Sequence, residues 1–132
     1  MTLKIQCLTI DSKDPEALAA FWASVLDYEI TYRSPEDQTK DREVVISKPG
    51  DPNSDLLFIQ VADDKVVKNR YHLDLRPEDR DAEVERVIGL GATKVDIGQG
   101  SEVTWVVLAD PEGNEFCILR ALTDEELAEE QS

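Results

Sequence analysis

Two stretches of this chain run through the same series of patterns, and any fold must accommodate both. Sliding the first onto the second so that Cys7 falls on His72 also brings Thr9 onto Asp74, Asp14 onto Asp79 and Ala17 onto Ala82. With a shorter loop allowed in the second copy, Asp51-Pro52 falls on Asp110-Pro111, Phe58 on Cys117 and Ile59 on Ile118. The identities are sparse but their order is the same. Self-similarity of this kind marks tandem copies of one supersecondary unit.

Alternating apolar segments predict strands over 4–10, 28–33, 43–48 and 55–61, and again over 71–75, 93–97, 103–109 and 115–120. A helix follows the first strand of each copy. The first has Asp14 as N-cap, Pro15 at its first position, and Leu18, Phe21, Trp22 and Val25 at helical spacing. The second is expected to start at Pro77 and stop at Gly91, with Ala82, Val87 and Leu90 as its apolar positions. Each copy therefore reads βαβββ. The expected class is α+β, with two tandem modules (about 3–62 and 70–121) forming a cupped mixed β-sheet with helices on the outer face. Residues 1–122 are expected to be a single domain, and 123–132 an acidic, solvated C-terminal tail.

Composition removes several classes of function. The formal net charge of -15, from 29 acids against 14 Lys and Arg, opposes binding to nucleic acid or to anionic membrane surfaces. No apolar run is long enough to span a bilayer, and Asp11 interrupts the N-terminal region where a leader would need an apolar stretch. Cys7 and Cys117 are not a secreted disulfide framework, so the expected location is the cytoplasm.

Period-two alternation sorts the strand residues by face. One set, including Leu8, Ile10, Leu57, Ile59, Leu73, Leu75, Phe116 and Ile118, is apolar and is expected under the helices. The other holds Cys7, Thr9, Phe58, Gln60, His72, Asp74, Glu115 and Cys117, and is expected to line a ligand cavity. The only histidine in the chain, His72, thus points away from the helix-packed core.

The chain resembles the vicinal oxygen chelate superfamily of glyoxalase I, bleomycin-resistance proteins and extradiol dioxygenases. The resemblance rests on DPEALAAFW after the first strand, HLDLRPEDRDAEVERVIGLGA in the second copy and ADPEGNEFCIL near the C-terminus, and it covers about residues 3–121. It implies metal ligands on the first and last strands of each copy, at Cys7, Phe58, His72 and Cys117, and it implies a homodimer. Of these, only His72 is a family-type ligand, Cys117 stands where metal-binding members carry Glu, and Phe58 has no ligating group.

Two functions follow. The first is a binder of small molecules, of the resistance type, with no cofactor and no metal, using Cys7, Phe58, Gln60, His72, Asp74, Trp105 and Cys117. The alternative is a lyase, isomerase or dioxygenase of the glyoxalase type, with a divalent metal held by His72 together with Cys7, Cys117 or Glu115. His72 is the candidate catalytic base in that case, and otherwise a wall residue hydrogen-bonded to Asp74 or to ligand. Trp105 is expected to pack in the core, with stacking on a flat ligand as the alternative. The segment 65–70 reads as a solvated linker, with attraction of an anionic ligand by its basic residues as the alternative.

Overall fold

The computed structural model describes residues 2–95 and 104–130. The chain divides into two compact units, Met1–Asp64 and Lys65–Ser132. The first contains β1 (Leu8–Ser12), α1 (Pro15–Leu26), β2 (Glu29–Arg33), β3 (Glu43–Ser47) and β4 (Leu56–Gln60). The second contains β5 (Asp74–Leu75), α2 (Arg80–Leu90), β6 (Thr93–Lys94), β7 (Val106–Ala109), β8 (Glu115–Ile118) and a further helix α3 (Asp124–Glu130). The fold is α+β, and the tandem βαβββ order holds. Among the described residues, no helix is long and apolar enough to cross a membrane.

In the first unit the strand order is β1-β4-β3-β2, with β1 and β4 parallel and the other neighbours antiparallel. Helix α1 starts where its sequence says it should. The Asp14 carboxylate accepts from the Ala17 N–H at 3.1 Å, and Pro15 occupies the first turn, where a missing N–H costs nothing. Leu18, Phe21, Trp22 and Val25 are buried against the sheet, with Phe21 and Trp22 edge to face at 5.3 Å. The sheet side of this core is Val44, Ile46, Leu56 and Phe58, all buried.

That core corrects the expected phase of β4. Ile10 pairs with Phe58, and Thr9 pairs with Leu57. Phe58 is 0% exposed, on the helix-packed face with Val44 and Ile46, and Gln60 follows it by alternation. Leu57 and Ile59 occupy the opposite face beside Thr9 and Asp11. A slip of one residue moves every side chain of a strand to the other face, and here it exchanges Phe58 for Leu57.

The second unit has the matching order β5-β8-β7-β6. Asp79 caps α2, accepting from the Ala82 N–H at 3.2 Å, as Asp14 does in the first unit. The helix therefore starts after Asp79 and not at Pro77. Its buried residues are Val84 and Val87, whereas Ala82 and Leu90 are exposed. Gly91, at φ 126, ends it as expected. Within the acidic tail, α3 opens with a capping box, in which Thr123 and Glu126 each satisfy the other's backbone N–H. Arg120 adds two bonds to the Glu126 carboxylate, and these hold its pKa down at about 2.

Candidate functional site

β8 is the strand on which the site is built, and the turn before it fixes where β8 begins. In Asp110-Pro111-Glu112-Gly113-Asn114, the buried Asp110 carboxylate accepts from the Glu112 N–H, the Asn114 N–H and the Asn114 side-chain amide, at 2.9 to 3.1 Å. Gly113 takes φ 90, a conformation that L side chains rarely adopt. The turn thus delivers Glu115 and Cys117 to one face of the sheet, and Phe116 and Ile118 to the other.

Upstream of β5, a side chain does the work of a backbone. The Asn69 carboxamide accepts from the Glu115 N–H at 3.1 Å and donates to the Glu115 carbonyl at 3.3 Å. This satisfies the edge of β8 that a longer β5 would have used, so the expected strand 71–75 shrinks to Asp74–Leu75. His72 lies just ahead of the strand, on the side of Asp74 and Cys117.

These residues surround a pocket of about 370 Å³. Its apolar wall includes Trp105, Val107 and Leu119, and its polar groups are Lys68, His72, Asp74, Glu115 and Cys117. Trp105 precedes β7 and is 40% exposed, so it is not the core residue expected from its sequence context. Val107 joins the wall because it pairs with Cys117, and Leu119 because it continues the alternation of β8.

Three donors converge here. His72 Nε2 lies 3.2 Å from Asp74 Oδ1, and the Cys117 thiol lies beside the same carboxylate. The potential ligand atoms of His72, Asp74 and Cys117 all lie within 4.8 Å of one another. Burial, followed by the negative charge of Asp74, pushes the Cys117 thiol above its usual range. Nitrogen, oxygen and sulfur donors at this spacing fit a borderline-soft divalent ion such as zinc better than a hard one. Binding would first have to displace the thiol proton.

Glu115 is engaged elsewhere. Lys65 Nζ lies 3.4 Å from one of its oxygens and Lys68 Nζ 3.2 Å from the other. Burial raises its pKa, but the ammonium groups of Lys68 and Lys65 outweigh that and hold it below the ordinary carboxylate value. The two lysines therefore tie the 65–70 segment to β8, so it is more than a solvated linker.

Of the residues named from sequence, His72, Asp74, Trp105, Glu115 and Cys117 come together in the second unit. Cys7, Phe58 and Gln60 belong to the first. Cys7 precedes β1 with its Sγ 3.6 Å from Thr9 Oγ1, Phe58 is in the α1 core, and the Gln60 side chain accepts from the Arg42 N–H. By register, the first-unit counterpart of Cys117 is Leu57, which has no ligating group. Sequence reasoning missed Val107 and Leu119, and reached Lys68 only as one of the basic residues of segment 65–70, in its alternative reading. Alternation from Cys117 would have found Leu119, whereas Val107 and Lys68 needed the tertiary pairing.

The arrangement can now be compared with known proteins. No functionally curated protein matches the sequence. FosX, a fosfomycin resistance protein from Mesorhizobium loti, is 20% identical, with 97% of this chain and 99% of that one covered and a TM-score of 0.68. FosX from Listeria monocytogenes, complexed with Mn(II) and sulfate ion, is 17% identical over 96% and 99% of the two chains, with a TM-score of 0.69. TnmS3, an antibiotic binding protein from Streptomyces sp. CB03234, is 16% identical over 92% and 98%, with a TM-score of 0.63. At these identities the likeness is one of fold. The sequence pattern of the glyoxalase-like domain matches residues 7–119, nearly the whole chain. The chain belongs to the glyoxalase-like domain family, within the vicinal oxygen chelate superfamily.

Proposed function

We propose that the chain binds a small organic molecule in the pocket of its second unit, as an antibiotic-binding or resistance-type protein that does not use the metal site usual in its superfamily. One observation carries this reading. The half-exposed Trp105, with Val107 and Leu119, faces a pocket whose other groups are hydrogen-bonding and charged, which is the composition of an organic ligand site. An indole face left accessible beside a cavity is suited to a flat ligand. Fosfomycin-resistance and antibiotic-binding proteins share the fold, which is consistent with this use. The same reading takes the protein as a cytoplasmic homodimer with free thiols.

The test is a tryptophan-fluorescence titration with antibiotics and metabolites, run on wild type and Trp105→Phe. Binding should shift the emission of the wild type and leave that of the variant, which then reports Trp22, unchanged. A compound that binds by calorimetry with equal affinity to both proteins, without an optical response, would place the ligand elsewhere.

The second reading is a glyoxalase-type lyase, isomerase or dioxygenase, and the convergence of His72, Asp74 and Cys117 favours it. These three residues would hold a divalent ion, and the chemistry supplied by such an ion is Lewis-acid polarisation of a ligand oxygen. Elemental analysis of protein purified without chelator separates the readings: stoichiometric metal that disappears in both His72→Ala and Cys117→Ser supports the enzyme.

A further inference from the structure

We propose that the ligand of this pocket is amphoteric: an apolar body with an anionic group that meets Lys68 and, apart from it, a protonated amine that meets Asp74. This rests on the small-molecule reading above and gives it a chemical class.

The charges around the pocket do not cancel pair by pair. Lys65 and Lys68 both converge on Glu115, but one carboxylate neutralises one ammonium. A unit of positive charge is left over at that end, in a protein with an excess of 15 negative charges. Lys65 is largely covered, whereas the Lys68 side chain is 70% exposed and lines the cavity. Its ammonium has three N–H donors, and Glu115 takes one of them.

The opposite imbalance sits at Asp74. Its neighbours are the imidazole of His72 and the thiol of Cys117, and among the described residues no lysine or arginine pairs with it. Its side chain is 52% exposed and also lines the cavity. Lys68 and Asp74 both line this one cavity, so the two poles border the same space. The apolar wall of Trp105, Val107 and Leu119 supplies the surface for the body of the ligand. A purely cationic ligand would leave the lysine surplus uncompensated, and a purely anionic one would face Asp74.

The experiment compares probes that share one ring. 3- and 4-(aminomethyl)benzoate carry both charges, 4-methylbenzoate only the negative one and benzylamine only the positive one. Affinities are measured by calorimetry and location by NMR shifts of the Trp105 indole, using the full chain. At least one amphoteric probe should bind about tenfold tighter than either singly charged probe, the size of one charge-assisted hydrogen bond. Lys68→Gln should abolish its advantage over benzylamine, and Asp74→Asn its advantage over 4-methylbenzoate. Should all the probes shift the Trp105 indole with equal affinity, the amphoteric class is wrong and the small-molecule site stands. If none of them shifts it, both fall. Lys68→Gln is at the exposed rim, so its folding is checked by circular dichroism and its result stands even if Asp74→Asn is unstable.

Discussion

Glu115 illustrates how one residue changes meaning between sequence and structure. From sequence it is a candidate metal ligand on the last strand. In the fold it is a largely covered carboxylate clamped by Lys65 and Lys68, with its backbone clamped by Asn69. Because its folded-state pKa is depressed, it stabilises the protein fully above the ordinary value of 4.5, and the contribution fades as pH falls through the folded-state value. Glu115→Gln should therefore cost about 1–2 kcal/mol at neutral pH, the solvent-screened Lys68 contributing the smaller part. The gap from wild type should close progressively below pH 4.5, as measured by urea unfolding across pH. A gap that persists unchanged to low pH would mean that the ion pairs contribute nothing. His72, by contrast, was legible in advance: alternation alone placed it with Asp74, and the structure puts its Nε2 3.2 Å from that carboxylate.

At the scale of elements, register separates what alternation leaves ambiguous. Leu57-Phe58-Ile59 is apolar throughout, and the polar residue of the strand, Gln60, shares its parity with the core residue Phe58, so polarity does not mark which parity faces the helix. Pairing with β1 and β3 decides it, and the consequence is measurable. Phe58→Ala should destabilise by roughly 3–5 kcal/mol, because it opens a cavity beneath α1, and Leu57→Ala by clearly less. Equal losses in chemical denaturation would contradict the pairing. The hairpin turns give a second contrast. Asp110→Ala removes acceptors for three donors and should cost about 2–3 kcal/mol, against about 1 kcal/mol or less for Asp51→Ala, whose carboxylate accepts from the Asn53 N–H alone. Thermal melts of the two variants side by side decide this.

For the whole molecule, charge is the dominant property. With 29 acids against 14 Lys and Arg, the folded chain repels itself, and screening should relieve that. Its melting temperature should rise by a few degrees between about 10 mM and about 150 mM sodium chloride, as the screening length falls from about 30 to about 8 Å. A fall would show that ion pairs such as those of Glu115 outweigh the general repulsion. The sequence by itself determined the tandem βαβββ order, the Asp14 N-cap of the first helix, the Asp110 turn and the parity of β5 and β8. Each of these is written in local spacing or in a hydrogen bond spanning a few residues. The tertiary structure alone decided that Phe58 is core, that Lys68 and Val107 border the pocket, and that Glu115 is taken by lysines from a distant segment. Those outcomes depend on which strands pair and in what register, and a pairing partner far along the chain leaves no periodic trace in an apolar run such as Leu57-Phe58-Ile59.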